Sequence, residues 1–315
     1  MKVSRSVGAV DFSDSGCVLT IGNFDAVHIG HQKILQQLRI KANDMGLPLV
    51  VMTFDPNPEQ FFRGSQASAR LSSVSGRYFA LRDLGVDLMV VLPFKQKLAS
   101  TSAEDFIEKI LLQGLNVKML LIGDDFKFGS KRRGDFAMLE DYGKTHGFEV
   151  GQFETVKFDG ERVSSTRVRA TLANGDLSYA KKLIGRHYSM TGRVVTGQKL
   201  GRQWGFPTLN LPVNNHPPLT GVFAVKVGGL GDKIIPGVAN LGTRPTVDGL
   251  TTLLEVHLFE FDQEVYGKRI CVHFIEKIRN EMKFPSFDDL KTQIGKDAER
   301  ARQILNVGHN RGEGN

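Results

Sequence analysis

Cysteine is scarce in this chain: two in 315 residues, Cys17 and Cys271. That excludes a disulfide framework and a multi-thiolate zinc site. Each cysteine sits in a short apolar run and reads as a small buried hydrophobe, although one bridge between them stays open at this level. No apolar run approaches the roughly 20 residues of a membrane-spanning helix. The opening stretch, Met-Lys-Val-Ser-Arg-Ser-Val-Gly, has no apolar core of signal-peptide length, so the expected location is the cytoplasm. Internal repeats, low-complexity tracts, a Walker A sequence and a His-Glu-x-x-His pair are all missing. What remains is an ordinary globular composition, 41% hydrophobic and 24% charged, in a chain long enough for two domains. The formal charge of +7 suits anionic ligands without choosing among them.

The most informative segment is Cys17-Val-Leu-Thr-Ile-Gly-Asn-Phe-Asp-Ala-Val-His28-Ile-Gly-His31. The run 17–21 reads as a buried strand, and Gly22, Asn23, Phe24 and Asp25 form a turn. Ile34, Leu35 and Leu38 then recur at helical spacing. His28 and His31 therefore stand where a strand ends and a helix begins. Free N–H groups and the helix dipole favour an anion there, and two imidazoles add donors on the same side. This predicts a nucleotide-phosphate site. The competing metal reading would need three or four ligands, and the sequence supplies no further ligand in a recognisable pattern.

A second anion site is predicted at Val163-Ser-Ser-Thr-Arg-Val-Arg169. Ser165 and Thr166 suit a helix N-cap, and Arg167 and Arg169 bring guanidinium forks that match phosphate. Two such helix starts in one domain suit a triphosphate held at both ends. A third motif is Gly197-Gln-Lys-Leu-Gly201-Arg202-Gln-Trp-Gly205-Phe-Pro-Thr208-Leu-Asn210. Its glycines let backbone N–H groups approach phosphate. Thr208 and Asn210 lie two apart on an apparent strand and would face one side, as neutral oxygen ligands for Mg²⁺ beside a nucleotide. Glu255, between apolar residues on a predicted strand, is the candidate general base.

Strand and helix alternate through the first half: Val18–Ile21, Leu49–Phe54, Asp87–Leu92 and Lys118–Ile122 as strands, with helices at Gln32–Met45, Tyr78–Leu84 and Ala103–Leu112. Alternation of this kind predicts a parallel, Rossmann-like sheet with ligands beyond its strand carboxyl ends. After Gly185 the texture turns β-rich, with turn residues between short runs, predicting an antiparallel barrel or sandwich. A helix over Phe287–Leu305, capped by Ser286 and Asp289, follows, and the tail Gly308–Asn315 is expected to be disordered. The predicted domains are 1–185 and 186–315.

Taken together, these motifs resemble the prokaryotic bifunctional riboflavin kinase/FMN adenylyltransferase family, the FAD synthetases. Gly22–His31 looks like the family's G-N-F-D-G-V-H-x-G-H. Gly123-Asp-Asp-Phe-Lys-Phe-Gly129 is similar to G-x-D/N-F-x-F-G, and Val163–Arg169 to I-S-S-T-x-I-R. Gly201–Asn210 is similar to G-R-x-x-G-F-P-T-A-N; Gly237–Thr246 and Leu254-Glu-Val-His257 match the kinase half. The resemblance implies an α/β nucleotidyltransferase domain followed by a riboflavin kinase β-barrel. It implies phosphorylation of riboflavin to FMN by ATP, then adenylylation of FMN to FAD with release of pyrophosphate. It implies Glu255 as kinase base, and Thr208 and Asn210 on Mg²⁺ and ATP. His28, His31, Ser165, Thr166 and Arg169 would hold ATP phosphates, and Asp125 would lie at the nucleotide–flavin site. Gly22, Asn23, Phe24, Asp25, Gly201, Arg202 and Gly205 are expected nucleotide-site positions. No nucleic acid, membrane or obligatory protein partner is implied. Departures are Ala26 for the usual Gly, Asn57 for a common His, and Leu209 for Ala. Two rivals are a nucleotidyltransferase for another phosphorylated substrate, and a nucleic-acid binder using basic residues such as Lys131–Arg133.

Overall fold

The computed structural model describes residues 1–9, 12, 15–197, 205–213, 217–246 and 249–307. The Gly308–Asn315 tail, and Gly201 and Arg202 of the third motif, lie outside the described residues. In chain order the elements begin with β1 (Lys2–Ser4), β2 (Cys17–Ile21), α1 (Ile29–Met45), β3 (Leu49–Phe54), α2 (Pro58–Arg63), α3 (Val74–Arg82), β4 (Leu88–Leu92) and α4 (Gln96–Ala99). Next come α5 (Ala103–Asp105), continued by π-type bonding over Phe106–Leu112, then β5 (Val117–Ile122), α6 (Phe136–His146), β6 (Glu149–Gln152), β7 (Lys157–Phe158) and β8 (Glu161–Arg162). They are followed by α7 (Ser165–Ala173), α8 (Leu177–Ile184), β9 (Ser189–Arg193), β10 (Leu209–Val213), β11 (Gly221–Gly228), β12 (Ile235–Thr246), β13 (Gly249–Leu258), β14 (Arg269–Arg279) and α9 (Phe287–Leu305). The chain divides into two compact units: Met1–Ser68 with Arg77–Ser164, and Ala69–Gly76 with Ser165–Asn315.

The first unit is built on a six-stranded parallel sheet of order β1-β4-β3-β2-β5-β6. Every residue of β2, β3 and β4 is buried. That is why these strands read as continuous apolar runs: a parallel sheet has both faces covered, and alternation disappears. Leu19, Ile21, Val50, Met52, Val90 and Leu120 build the core with Phe106, Ile107 and Leu111. From β2 the chain winds to β3 and β4 on one side, then crosses to β5 and β6 on the other. The reversal leaves a crevice at the carboxyl ends of β2 and β5, where open α/β sheets bind ligands. α1 leads away from it, buries Ile34, Leu35, Leu38 and Ala42, and stops at Gly46, which adopts φ +65° and closes on the Ala42 and Asn43 carbonyls.

The second unit carries an antiparallel sheet of order β10-β13-β12-β11-β14-β9. A bridge between Val195 and Asn210 joins its two edges, so the sheet is a nearly closed barrel. One row, Leu211, Leu254 and Leu241, is fully buried and forms barrel interior. α9 covers part of the outer face, packing Ala298 and Ala301 on Val222, Ala224, Val238 and Phe259. Its N-cap is Ser286, whose hydroxyl accepts from the Asp289 N–H. Arg279 of β14 holds Asp297 of α9 through Nε at 2.9 Å and Nη2 at 2.7 Å. Among the described residues no helix is long and apolar enough to cross a membrane. Cys17 and Cys271 are both free thiols, the first fully buried.

Candidate active sites

The turn after β2 is held from below. Gly22 N–H donates to the Met52 carbonyl at 3.1 Å, joining the turn to β3. Arg77, only 2% exposed, donates from Nη1 to the Asn23 carbonyl at 2.8 Å and to the Thr53 hydroxyl at 3.0 Å. A charge-assisted bond to a turn carbonyl orients the peptide that follows. Above this anchor the backbone is contorted: Phe24, Ala26 and Val27 have φ of +48°, +65° and +44°. Asp25 is buried, and Asn23 is exposed. The family's Gly position therefore does need the left-handed region here, and Ala26 occupies it at a steric cost.

His28 caps α1. Its Nδ1 accepts from the His31 N–H at 3.4 Å, so its ring proton belongs on Nε2. The two rings stack, with centroids 3.7 Å apart and planes 16° from parallel, and Phe24 supports His31 at 4.9 Å. Gly30 makes room: a Cβ there would lie 3.1 Å from His28 Nδ1. The structure thus brings both histidines and the Gly22–Asp25 turn into one place, at the crevice.

Beyond β5, Asp125 is exposed and lies 3.4 Å from Nη2 of Arg162, which also reaches Asp124 at 3.3 Å. Gly129 adopts φ +70°, and a Cβ there would lie 2.7 Å from the Ala103 backbone. Sequence reasoning missed an aromatic group beside the ends of β3 and β4. Phe94 lies 5.7 Å from Phe54, 5.5 Å from Phe61 and 5.9 Å from Phe62, the last 68% exposed. Exposed aromatic faces of this kind stack planar rings. The Phe61-Phe62 pair just after Asp-Pro-Asn-Pro was the available signal. Asn57, the departure from His, caps α2 in a reciprocal box with Gln60.

In the second unit, Ser165 and Thr166 are the first two residues of α7 rather than cap residues preceding it. Arg167 donates to the Tyr179 hydroxyl, and Arg169 donates from Nε to the Ala69 carbonyl at 2.5 Å.

The barrel places Glu255 opposite Asn210 of β10 on one side and opposite Asn240 of β12 on the other. Directly opposed residues share a face with Cβ atoms about 5 Å apart. The alternate row is barrel interior, so this Asn–Glu–Asn row faces outward, on the side that α9 partly covers. Asn240 was missed because its proximity to Glu255 comes from register, not spacing. A Cβ on Gly197 would overlap the Asn210 amide, so that glycine buys a close approach. Thr208 corrects the expectation that it shares a strand with Asn210: β10 begins at Leu209. Thr208 instead lines a cavity of about 240 Å³ with Pro207, Leu209, Phe261, Asp262 and Tyr266. Gly205 has φ +83°. His257, two residues beyond Glu255, lies with Nδ1 2.9 Å from the Pro207 carbonyl, between Phe206 and Phe259. Among the described residues no group of three or more His, Cys, Asp or Glu side chains is placed to hold a metal ion.

An open α/β sheet with a phosphate-type helix start at its switch point, and a separate barrel with a carboxylate among amides, define a nucleotide-handling transferase of two units. Family models agree: FAD synthetase matches residues 11–167 and riboflavin kinase matches 184–305. A bifunctional riboflavin kinase/FMN adenylyltransferase from Haemophilus influenzae is 50% identical, over 97% of this chain and 100% of its own length. The enzyme of that name from Escherichia coli K12 is 45% identical, over 98% of this chain and 99% of its own. A solved structure described as a macrolide-efflux protein from Streptococcus pneumoniae has TM-score 0.77 and 30% identity, covering 95% of this chain and 98% of that one. The chain belongs to the bacterial bifunctional riboflavin kinase/FMN adenylyltransferase family.

Proposed function

We infer that the chain makes FMN from riboflavin and ATP, and FAD from FMN and a second ATP. In the barrel, Glu255 accepts the proton of the riboflavin 5′-hydroxyl. The 5′-oxygen forms a bond to the γ-phosphorus, the bond to the β,γ-bridging oxygen breaks, and ADP leaves. A hydroxyl is a poor nucleophile, so a base is worth about 10²–10⁴ in rate. Asn210 and Asn240 orient the carboxylate between them. Asn210, opposite Glu255, and Thr208, two residues before it, offer hard, neutral oxygens of the kind that fits Mg²⁺ carried on nucleotide phosphates. When bound, the cation would neutralise developing phosphate charge.

In the α/β unit an FMN phosphate oxygen attacks the α-phosphorus of ATP, and pyrophosphate leaves. The nucleophile is already an anion, so the requirement is positive potential rather than a base. The α1 start, the His28 Nε2–H and His31 supply it around the α-phosphate and leaving group, with Gly22, Asn23, Phe24 and Asp25 shaping the turn. Ser165, Thr166 and Arg169 are assigned to phosphate binding in the same reaction, and Asp125 to the nucleotide–flavin side. The Phe54–Phe94 group offers a stacking surface for the isoalloxazine ring. Gly201, Arg202 and Gly205 are assigned to ATP in the kinase. We place the functional boundary between 185 and 186, assigning α7 and α8 by their motif to the adenylyltransferase although the compact-unit division at Ser164 counts them with the second unit, and we place the enzyme in the cytoplasm, where ATP is abundant.

The observation that carries this reading is the Asn210–Glu255–Asn240 row in a chain that also holds the stacked His28–His31 helix start. Purified protein incubated with riboflavin, Mg²⁺ and ATP, with flavins separated over time, should show FMN rising before FAD. Unchanged riboflavin would remove the proposal.

A further inference from the structure

We propose that His257 is a positioning residue that fixes the ATP-side wall of the kinase pocket. The inference rests on the kinase reading of the barrel. His257 follows Glu255 by two on β13, so both side chains leave the same face of the strand. Its Nδ1 lies 2.9 Å from the Pro207 carbonyl and donates to it. That carbonyl belongs to the peptide joining Pro207 to Thr208, and a peptide is planar. Fixing the oxygen therefore fixes the plane and aims the Thr208 N–H away from His257. One strand thus carries the candidate base and, two residues on, the side chain that sets the candidate ATP and cation ligand.

The imidazole cannot swing aside freely. Phe206 meets it edge-on at 5.4 Å and Phe259 at 5.9 Å, and Arg302 of α9 lies 4.1 Å over the Phe259 ring. Burial lowers the His257 pKa, against the pull of the Pro207 hydrogen bond, and the Arg302 charge lowers it further. The ring is neutral at pH 7 and donates a single proton, the one on Nδ1.

The test uses the full chain. His257→Phe keeps the ring and its packing but removes the donor; His257→Asn restores an amide donor near the Nδ1 position. His257→Phe should raise the KM for ATP in riboflavin phosphorylation about tenfold with kcat within about twofold, as expected for loss of ground-state positioning. His257→Asn should recover most of that loss. FMN adenylylation, measured in the same samples, should be unchanged in both. An unchanged KM in His257→Phe overturns the proposal, as does an Asn variant no better than Phe. Loss of adenylylation together with phosphorylation also overturns it, since a purely structural role gives that pattern. A wild-type chain that forms no FMN would overturn the kinase reading itself, and this inference with it.

Discussion

Ala26 shows how a single Cβ taxes a site. At φ +65° and ψ −10° an L side chain crowds its own backbone, at about 1–2 kcal/mol. Glycine there would relieve that strain and give back part of it through a more flexible unfolded chain, about 0.4–1 kcal/mol. Ala26→Gly should therefore stabilise the first unit by about 1 kcal/mol, read as a higher urea midpoint at unchanged slope. A lower midpoint would show that the turn gains its shape from contacts to the Ala26 methyl instead. The two cysteines differ as sharply. Burial pushes the Cys17 thiol up to about 12. At Cys271 burial also raises the pKa, but the His273 hydrogen bond and charge, with the Thr191 and Ser189 hydroxyls, outweigh it and leave the thiol below its ordinary value. His273 is raised in return, chiefly by its hydrogen bond to Cys271. Because the thiolate is the reactive form, Cys271 should alkylate with iodoacetamide at a pH where an ordinary thiol is still protonated, and His273→Asn should move that profile upward. Cys17 should label only on unfolding. Equal labelling of both in the folded protein would contradict these assignments.

At the scale of the element, legibility in the sequence followed burial. β3 at Leu49–Phe54 and α9 at Phe287–Leu305 match the sequence reading residue for residue, because each is an apolar pattern with chemical stops: Pro48 and Asp55-Pro56 around the strand, Ser286 before the helix. β1 and β6 were not read. Both are edge strands; β1 spans three residues, and β6 shows none of the full burial of the central strands. α8 was legible and overlooked: Asp176 caps it, Gly185 at φ +76° ends it, and Leu177, Ala180, Leu183 and Ile184 form its buried face. The site divides the same way. His28, His31 and Glu255 announce themselves by local motif. Asn240 and Arg77 reach their partners through strand register and a turn carbonyl, which no local spacing encodes; His257 lies in the Leu254–His257 motif, but its bond to the Pro207 carbonyl could not be read from it. Arg279 and Asp297 are of this second kind. Their bidentate pair docks α9 on the barrel, with Gln293 adding a bond to Asp297 at 2.9 Å. Asp297 is 5% exposed at the side chain and Arg279 18%, so removing the carboxylate strands a largely dry guanidinium. Loss of one partner of such a pair costs about 3–5 kcal/mol, less where water reaches the survivor. Asp297→Ala should cost about 3 kcal/mol in chemical denaturation; a change below about 1 kcal/mol would mean that apolar packing alone holds the helix.

For the whole molecule the proposed assignments predict that the two reactions can be separated by mutation. Glu255 belongs to the barrel unit, and His28 and His31 to the parallel-sheet unit. The kinase step needs a proton removed from a neutral hydroxyl; the adenylyl step needs only charge stabilisation around an anionic nucleophile and a leaving pyrophosphate. Glu255→Gln keeps the shape and hydrogen-bonding reach of the side chain while removing the proposed base, so FMN formation should fall by about 10²–10⁴. FMN supplied directly should still become FAD at the wild-type rate. His28→Ala combined with His31→Ala should do the reverse. Riboflavin would still become FMN, while FAD formation falls by about 10²–10³ or more, as for loss of preorganised donors. His28 also caps α1, so the double variant will lose about 1 kcal/mol of stability, and the surviving kinase rate reports whether the chain remains folded. The measurement is a pair of initial rates, FMN from riboflavin and FAD from added FMN, on each variant. If Glu255→Gln slowed both rates together, or the histidine variant spared FAD formation, the assignment of Glu255 to the kinase step and of the two histidines to the adenylyl step would fail.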